Sequence, residues 1–392
     1  MAKMGAEERR ARLAVRHRLA RAHRAGDVAE VADDLVALHA TDPASVFLAS
    51  AARLRAPTVV AIERALYEER TIVRLLGMRR TMFVVPRELV PVVHAACTRA
   101  LVPNQRRILV PLIERAGIAA DADRWLAEVE DRTVQALAAR GEAFAAELAA
   151  DVPELRLQIS MNEGKAYGGA ANLTTRVLFL LAAGERIVRG RPRGSWISSQ
   201  YRWAPIERWL PDGLPDVPEG AARVELARRW LRAFGPATPA DLRWWTGWTA
   251  GEVNRALAEI APADVELDGG RTGIALPGDL EPTPAPEPWV ALLPALDPTI
   301  MGWQERGWFL GPHGPALFDR SGNVGPTVWW DGRIVGGWAQ RKDGEVVYRL
   351  LEDVGADAVR AVRDAAENLT AWIGPVRVTP RFRTPLEQEL SA

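Results

Sequence analysis

Residues 221–277 read "AARVELARRWLRAFGPATPADLRWWTGWTAGEVNRALAEIAPADVELDGGRTGIALP". The first sixteen carry a helical apolar stripe that Gly235 and Pro236 stop. A second helix starts at a Thr238 cap with Pro239 at its first position. A third starts near Thr249 and buries Val253, Ala256, Leu257 and Ile260 on one face. From Ala263 the pattern switches to strand, Asp-Gly-Gly turn and strand. Three helices followed by a β-hairpin is the winged-helix plan, a variant of the helix-turn-helix.

The same plan recurs upstream. In 124–206, "RWLAEVEDRTVQALAARG" (124–141), "EAFAAELAADVPELR" (142–156) and "GGAANLTTRVLFLLAAG" (168–184) read as helices, and "ERIVRGRPRGSWISSQYRWAP" (185–205) as the wing. In 8–86, helices are expected over 8–24, 27–39, 43–53 and 58–69, with a hairpin in "TIVRLLGMRRTMFVVP" (71–86). Residues 278–288, "GDLEPTPAPEP", form a Pro-rich linker. Beyond it, alternation with turns at Asp331-Gly332 and Asp343-Gly344 indicates a small β-barrel or curled sheet. A helix near 355–373 and a last strand, "GPVRVTPRF", close the chain. The fold class is α+β: three tandem winged-helix units forming a concave cradle plus a C-terminal barrel-like domain. The expected divisions are 1–123, 124–220, 221–280 and 281–392.

Fifty basic and fifty acidic residues leave no net charge, which argues against a nonspecific coat on nucleic acid. Residues 1–24 are locally basic: eight Lys and Arg against Glu7 and Glu8 make +6, a solvated face or a nucleic-acid contact. One cysteine, Cys97, excludes a disulfide within the chain and a thiolate zinc cluster. No apolar run of membrane length and no signal peptide are present, so the expected location is cytoplasmic. No metal-ligand or phosphate-loop motif is found, so no metal and no cofactor are expected.

Chemistry concentrates in a few places. "DLVALHATDP" (34–43) ends an apolar helix with His39, Thr41 and Asp42. Those residues fit either a capped helix end with a turn or a polar site that handles water. Arg79 and Arg80 stand at a hairpin turn, in reach of phosphates or simply solvated. In the second wing, Arg189, Arg191, Arg193 and Arg202 alternate with Trp196 and Trp203, a mixture suited to phosphate contact and groove insertion. Trp244, Trp245 and Trp248 read as core, His94 as a core histidine, and His17 and His23 as solvated.

Together, the tandem units, the "MRRTMFVVP" hairpin, the "RGRPRGSW" wing, the "LLPALDP" segment and the "GRIVGGW" strand resemble the AlkZ/YcaQ-like winged-helix DNA glycosylases of bacteria. The resemblance covers nearly the whole chain. It implies a glycosylase that removes N7- or N3-alkylated purines from double-stranded DNA, including bulky adducts or crosslinks. In that family glutamine–any–glutamine, or glutamine–any–aspartate, stands where this chain has His39-Ala40-Thr41. The family also usually has a small residue at position 80 and a histidine at position 83, where Arg80 and Phe83 stand here. By resemblance His39 would activate or hold the attacking water, Thr41 would orient it, and Asp42 would assist electrostatically. Asp297, Trp303 and Gln304 would face the motif. The only lysines are Lys3, Lys165 and Lys342, none in that site, which favours a water-using enzyme without a lyase step. A monomer is expected. A DNA-binding regulator with an inert site, or a winged-helix protein-interaction module, fits the same residues.

Overall fold

The computed structural model describes residues 1–161 and 169–392. Strand β1 (Ala2–Lys3) precedes α1 (Ala6–Arg16) and α2 (Val28–Asp34). The expected helix 27–39 stops at Asp34, because Val36 turns with φ of +63°. That conformation is rare for a β-branched residue, and no glycine or proline announces it. Leu38–His39 therefore form a short strand, β2, so His39 does not lie on a helix end. The expected helix 8–24 likewise stops at Arg16. Next come α3 (Pro43–Ala51), α4 (Val59–Glu63) and the hairpin of β3 (Ile72–Leu76) and β4 (Met82–Pro86). Strand β2 adds to that hairpin, with Leu38 opposite Val84 and His39 opposite Phe83.

Helices α5 (Val90–Val93) and α6 (Leu101–Arg115) lead to α7 (Ala122–Arg140) and α8 (Ala145–Asp151). A pair of short strands, β5 (Gln158–Met161) and β6 (Gly169–Asn172), occupies the expected start of the third helix, so α9 spans only Leu173–Ala183. Lys165 and Gly168 lie outside the described residues. The stretch expected to be the second wing is an antiparallel pair, β7 (Ile187–Pro192) and β8 (Tyr201–Pro205). Helices α10 (Glu219–Phe234), α11 (Pro239–Thr246) and α12 (Ala250–Ile260) follow the sequence closely. Thr238 and Thr249 each close a capping box, with Asp241 and Glu252 respectively. Strands β9 (Ala263–Glu266) and β10 (Thr272–Ala275) complete that stretch, with β1 added in parallel to β9. Three helices and a hairpin follow one another without interruption only in 219–275; the first stretch has four helices with β2 inserted, and the second has the β5–β6 pair before α9.

The C-terminal sheet contains β11 (Val290–Leu293), β12 (Thr327–Trp330), β13 (Arg333–Gln340) and β14 (Val346–Leu350). Its order is simply β11-β12-β13-β14, so it does not close into the expected barrel. Three short helices interrupt it after β11: α13 (Pro298–Met301), α14 (Gly307–Leu310) and α15 (Gly314–Leu317). Then α16 (Gly355–Ile373) covers β11 and β14, and α17 (Pro385–Ser391) packs on β13. The expected last strand, 374–382, is irregular; its Val378 N–H donates to Gln340 and its Arg381 N–H to Asp42.

One apolar core joins the N-terminal stretch to α10–α12 and the C-terminal sheet, and a second fills 109–203. The basic N-terminal run is answered internally. Arg12 and Arg16 pair with Asp279 at 2.9 and 2.6 Å, Arg18 pairs with Asp34 and Glu30, and Arg9 stacks on Trp308. These ties also fasten the Pro-rich linker to α1, where Thr283 N–H donates to Glu8.

Candidate active site

Pairing with β4 fixes the backbone of the His39 motif, and Ala40 N–H continues the ladder to Met82 O at 2.8 Å. Arg74 on β3 reaches under the strand and donates to Ala40 O at 3.0 Å. Asp42 caps α3 by accepting Ala44 N–H at 3.0 Å, and its other oxygen accepts Arg381 N–H at 2.9 Å. Both oxygens are therefore taken by backbone, and the carboxylate holds the chain in place beside the motif. Burial pushes the Asp42 carboxyl above its ordinary range, against those two hydrogen bonds.

His39 is 5% exposed, and its ring lies 5.0 Å from that of Phe83. Burial, reinforced by the nearby Arg79 charge, drives the imidazole down to about 3. The ring is therefore neutral at physiological pH. The Thr41 N–H points at Nδ1 across 3.5 Å, a long contact that favours the proton on Nε2. The Thr41 hydroxyl has no partner among the described residues.

His39 and Thr41 open onto a cavity of about 310 Å³. Arg79 and Thr81 contribute the hairpin side, Trp244 the α11 side, and Met301, Gln304 and Arg306 the wall that follows α13. Ser321, Asn323 and Phe382 come from the far end of the chain. Arg79 and Arg80 both adopt left-handed backbone, φ +53° and +59°, at the hairpin tip. The tip presses on the end of α11, where a Cβ at Gly247 (φ +76°) would come within 3.0 Å of the Arg79 side chain. This docking turns Arg79 inward to lie 4.2 Å from the centre of the Trp244 ring, while Arg306 lies 4.7 Å from it. Arg80 points to solvent.

The other expected site residues divide. Gln304 lines the cavity. Arg193 and Arg202 are exposed and share the Phe144 ring, and Arg189 packs on Tyr201 and Trp203 without an acidic partner among the described residues. Arg191 is neutralised by Glu63 and Glu68 at 2.7 and 3.0 Å. Trp196 is buried between Phe47 and Trp372, so it fastens the wing to the body rather than reaching outward. Asp297 is wholly buried, bridged to Arg53 at 2.7 Å, and caps α13. Trp303 is core, donating to Phe234 O. His17, expected in solvent, is fully buried. Trp245 and Trp248 are core as expected, whereas Trp244 lines the cavity. Arg306 was not anticipated at all; its only signal in the sequence is an arginine between two tryptophans.

A family model described as AlkZ-like DNA glycosylase matches residues 32–372. The chain belongs to the AlkZ-like DNA glycosylase family. The solved Streptomyces sahachiroi DNA glycosylase AlkZ is similar in fold, with a TM-score of 0.70 at 20% identity, covering 95% of this chain and 98% of that one. No curated protein sequence matches. Family membership makes this chain a DNA repair glycosylase with DNA as its substrate. Among the described residues no helix is long and apolar enough to cross a membrane, and no group of three potential metal ligands stands together.

Proposed function

We propose that this chain hydrolyses the N-glycosidic bond of N7- or N3-alkylated purines in double-stranded DNA, with His39 and Thr41 holding the attacking water. The carrying observation is their joint position on one open cavity, beside an unpartnered threonine hydroxyl. The imidazole offers Nε2–H to the water oxygen, and the Thr41 hydroxyl fixes the water from its other side. A neutral ring with so depressed a pKa orders the water rather than deprotonating it. An alkylated purine tolerates this. The base already carries positive charge, so the C1′–N bond breaks with its electron pair going to the base, which leaves neutral. The water oxygen bonds to C1′ and its proton passes to solvent. Positioning supplies most of the required acceleration. No lysine and no metal enters this reading, so the product is an intact abasic site.

His39 and Phe83, two of the positions where this chain departs from the family pattern, are cross-strand partners. The departures therefore form one exchange across β2 and β4. The three helix–hairpin stretches act as winged-helix units that cradle the duplex, with Arg80, Arg193 and Arg202 toward its phosphates. A cradle of this kind suits bulky adducts and crosslinks that a tight base pocket would reject. We place the enzyme in the cytoplasm as a monomer.

The test incubates the protein with duplexes carrying 7-methylguanine, 3-methyladenine or a bulky guanine adduct and measures alkali-sensitive abasic sites. Wild type excises at least one lesion, and His39→Ala is slower by about 100-fold or more under single turnover. Duplex binding without excision across the panel would leave a DNA-binding protein with an inert cavity.

A further inference from the structure

The cavity holds more positive charge than water positioning requires. Arg79 and Arg306 bracket one indole at 4.2 and 4.7 Å, and neither makes an ion pair among the described residues, although Arg306 donates Nε–H to Trp303 O at 2.8 Å and lies 5.0 Å from the Phe318 ring. The nearby acid, Asp241, is occupied: one oxygen accepts Gln304 and Glu305 N–H, and the other accepts the Thr238 N–H and hydroxyl. Two guanidiniums repel one another, and an arginine is long enough to swing its charge into solvent. Here they do not. The left-handed tip at Arg79–Arg80, seated on Gly247, keeps Arg79 inward at a cost in backbone strain. The indole face attracts cations by about 0.5–2 kcal/mol, but it does not cancel their charge. The Arg79 Nε is buried without a partner. Beside a sugar that becomes cationic as its bond breaks, two guanidiniums without a carboxylate bound to them would raise the barrier. An anion between them removes that penalty and itself stabilises the sugar cation.

We propose that Arg79 and Arg306, held on Trp244, form an anion subsite for the backbone phosphate adjoining the damaged nucleotide. The enzyme therefore acts on lesions within a strand and not on free modified nucleosides. The identity of the anion rests on the glycosylase reading; the existence of the subsite does not.

The experiment compares wild type with Arg79→Met, Arg306→Met and the double variant. In the first arm, inorganic phosphate replaces chloride at constant ionic strength. Phosphate raises the melting temperature of any folded chain by exclusion, so the response read is the extra rise of wild type over the double variant. In the second arm, duplex affinity is measured against salt. The logarithmic slope of the double variant falls by about 0.9, the value for one lost phosphate contact, and that of each single variant by no more than this. In the third, wild type releases base from a 7-methylguanine duplex and not from the free nucleoside. Arg79→Lys and Arg306→Lys retain the phosphate response, which separates lost charge from lost packing. No phosphate response together with an unchanged slope overturns the subsite. A phosphate response with an unchanged slope overturns its assignment to DNA, as does equal release from nucleoside and duplex. If wild type makes no abasic sites while the first two arms respond, the glycosylase reading fails and the subsite stands.

Discussion

His17 and His39 make an instructive pair. Both imidazoles are buried, both are held down to about 3, and both sit near an arginine. Around His17 every polar group has a partner. Nδ1 meets the Thr299 hydroxyl at 2.8 Å and Nε2 meets Ala233 O at 3.1 Å, while Arg53 grips Asp297 with two nitrogens. Around His39 one ring nitrogen has only a 3.5 Å contact, Thr41 keeps a free hydroxyl, and Arg79 has no carboxylate among the described residues. A depressed pKa is common to both and so distinguishes neither. The difference is unused hydrogen-bonding capacity in residues that line a cavity, the Thr41 hydroxyl itself being buried. The satisfied cluster has no polar group to spare, whereas the unsatisfied one retains the capacity that the proposed water-holding role requires.

The contrast can be broken from either side. Arg53→Met would leave Asp297 charged and unpaired in the core, and we expect a loss of about 3–5 kcal/mol in urea unfolding. A loss well under 1 kcal/mol would mean that the His17 cluster is as loose as the other. Asp42→Ala tests the boundary of the open cluster, because both its oxygens serve backbone N–H groups. It should cost about 1–2 kcal/mol of stability, the range for a lost helix cap, and slow excision less than about tenfold. A hundredfold loss of rate at unchanged stability would give that carboxylate a direct part in the chemistry. The smallest effect concerns pH. With burial holding the His39 imidazole down to about 3, the ring stays neutral from pH 5 to 8 and excision should vary by less than about twofold across that range through this group. A rate inflection near pH 6.5 would show a ring in ordinary contact with water.

Much of the fold was legible because its signals are local. The boxes at Thr238 and Thr249 and the Asp-Gly-Gly turn place α11, α12 and the β9–β10 hairpin almost to the residue, and α16 spans the expected 355–373. The motif's setting was not legible. Val36 turns without glycine or proline, and β2 is a two-residue strand that exists only because β4 is there to pair with it. Periodicity therefore extended the helix through His39. The second wing misled in another way: Arg191 and Trp196 match a nucleic-acid pattern, but Glu63, Glu68, Phe47 and Trp372 claim them, all distant in sequence. Arg306 and Trp244 were missed because no spacing rule links either of them to residue 39. The sheet read as a barrel because alternation reports strands and turns but not whether the first strand meets the last.

The clasp between Asp42 and the Arg381 backbone carries an implication for the life of the protein in the cell. His39 and Phe382 line the same cavity from stretches far apart in sequence, so its wall is complete only when both are folded in place. A chain cleaved ahead of Arg381 would keep His39 and Thr41 and lose the Phe382 part of the wall around them. Proteolysis in that stretch would therefore reshape the cavity without touching His39 or Thr41.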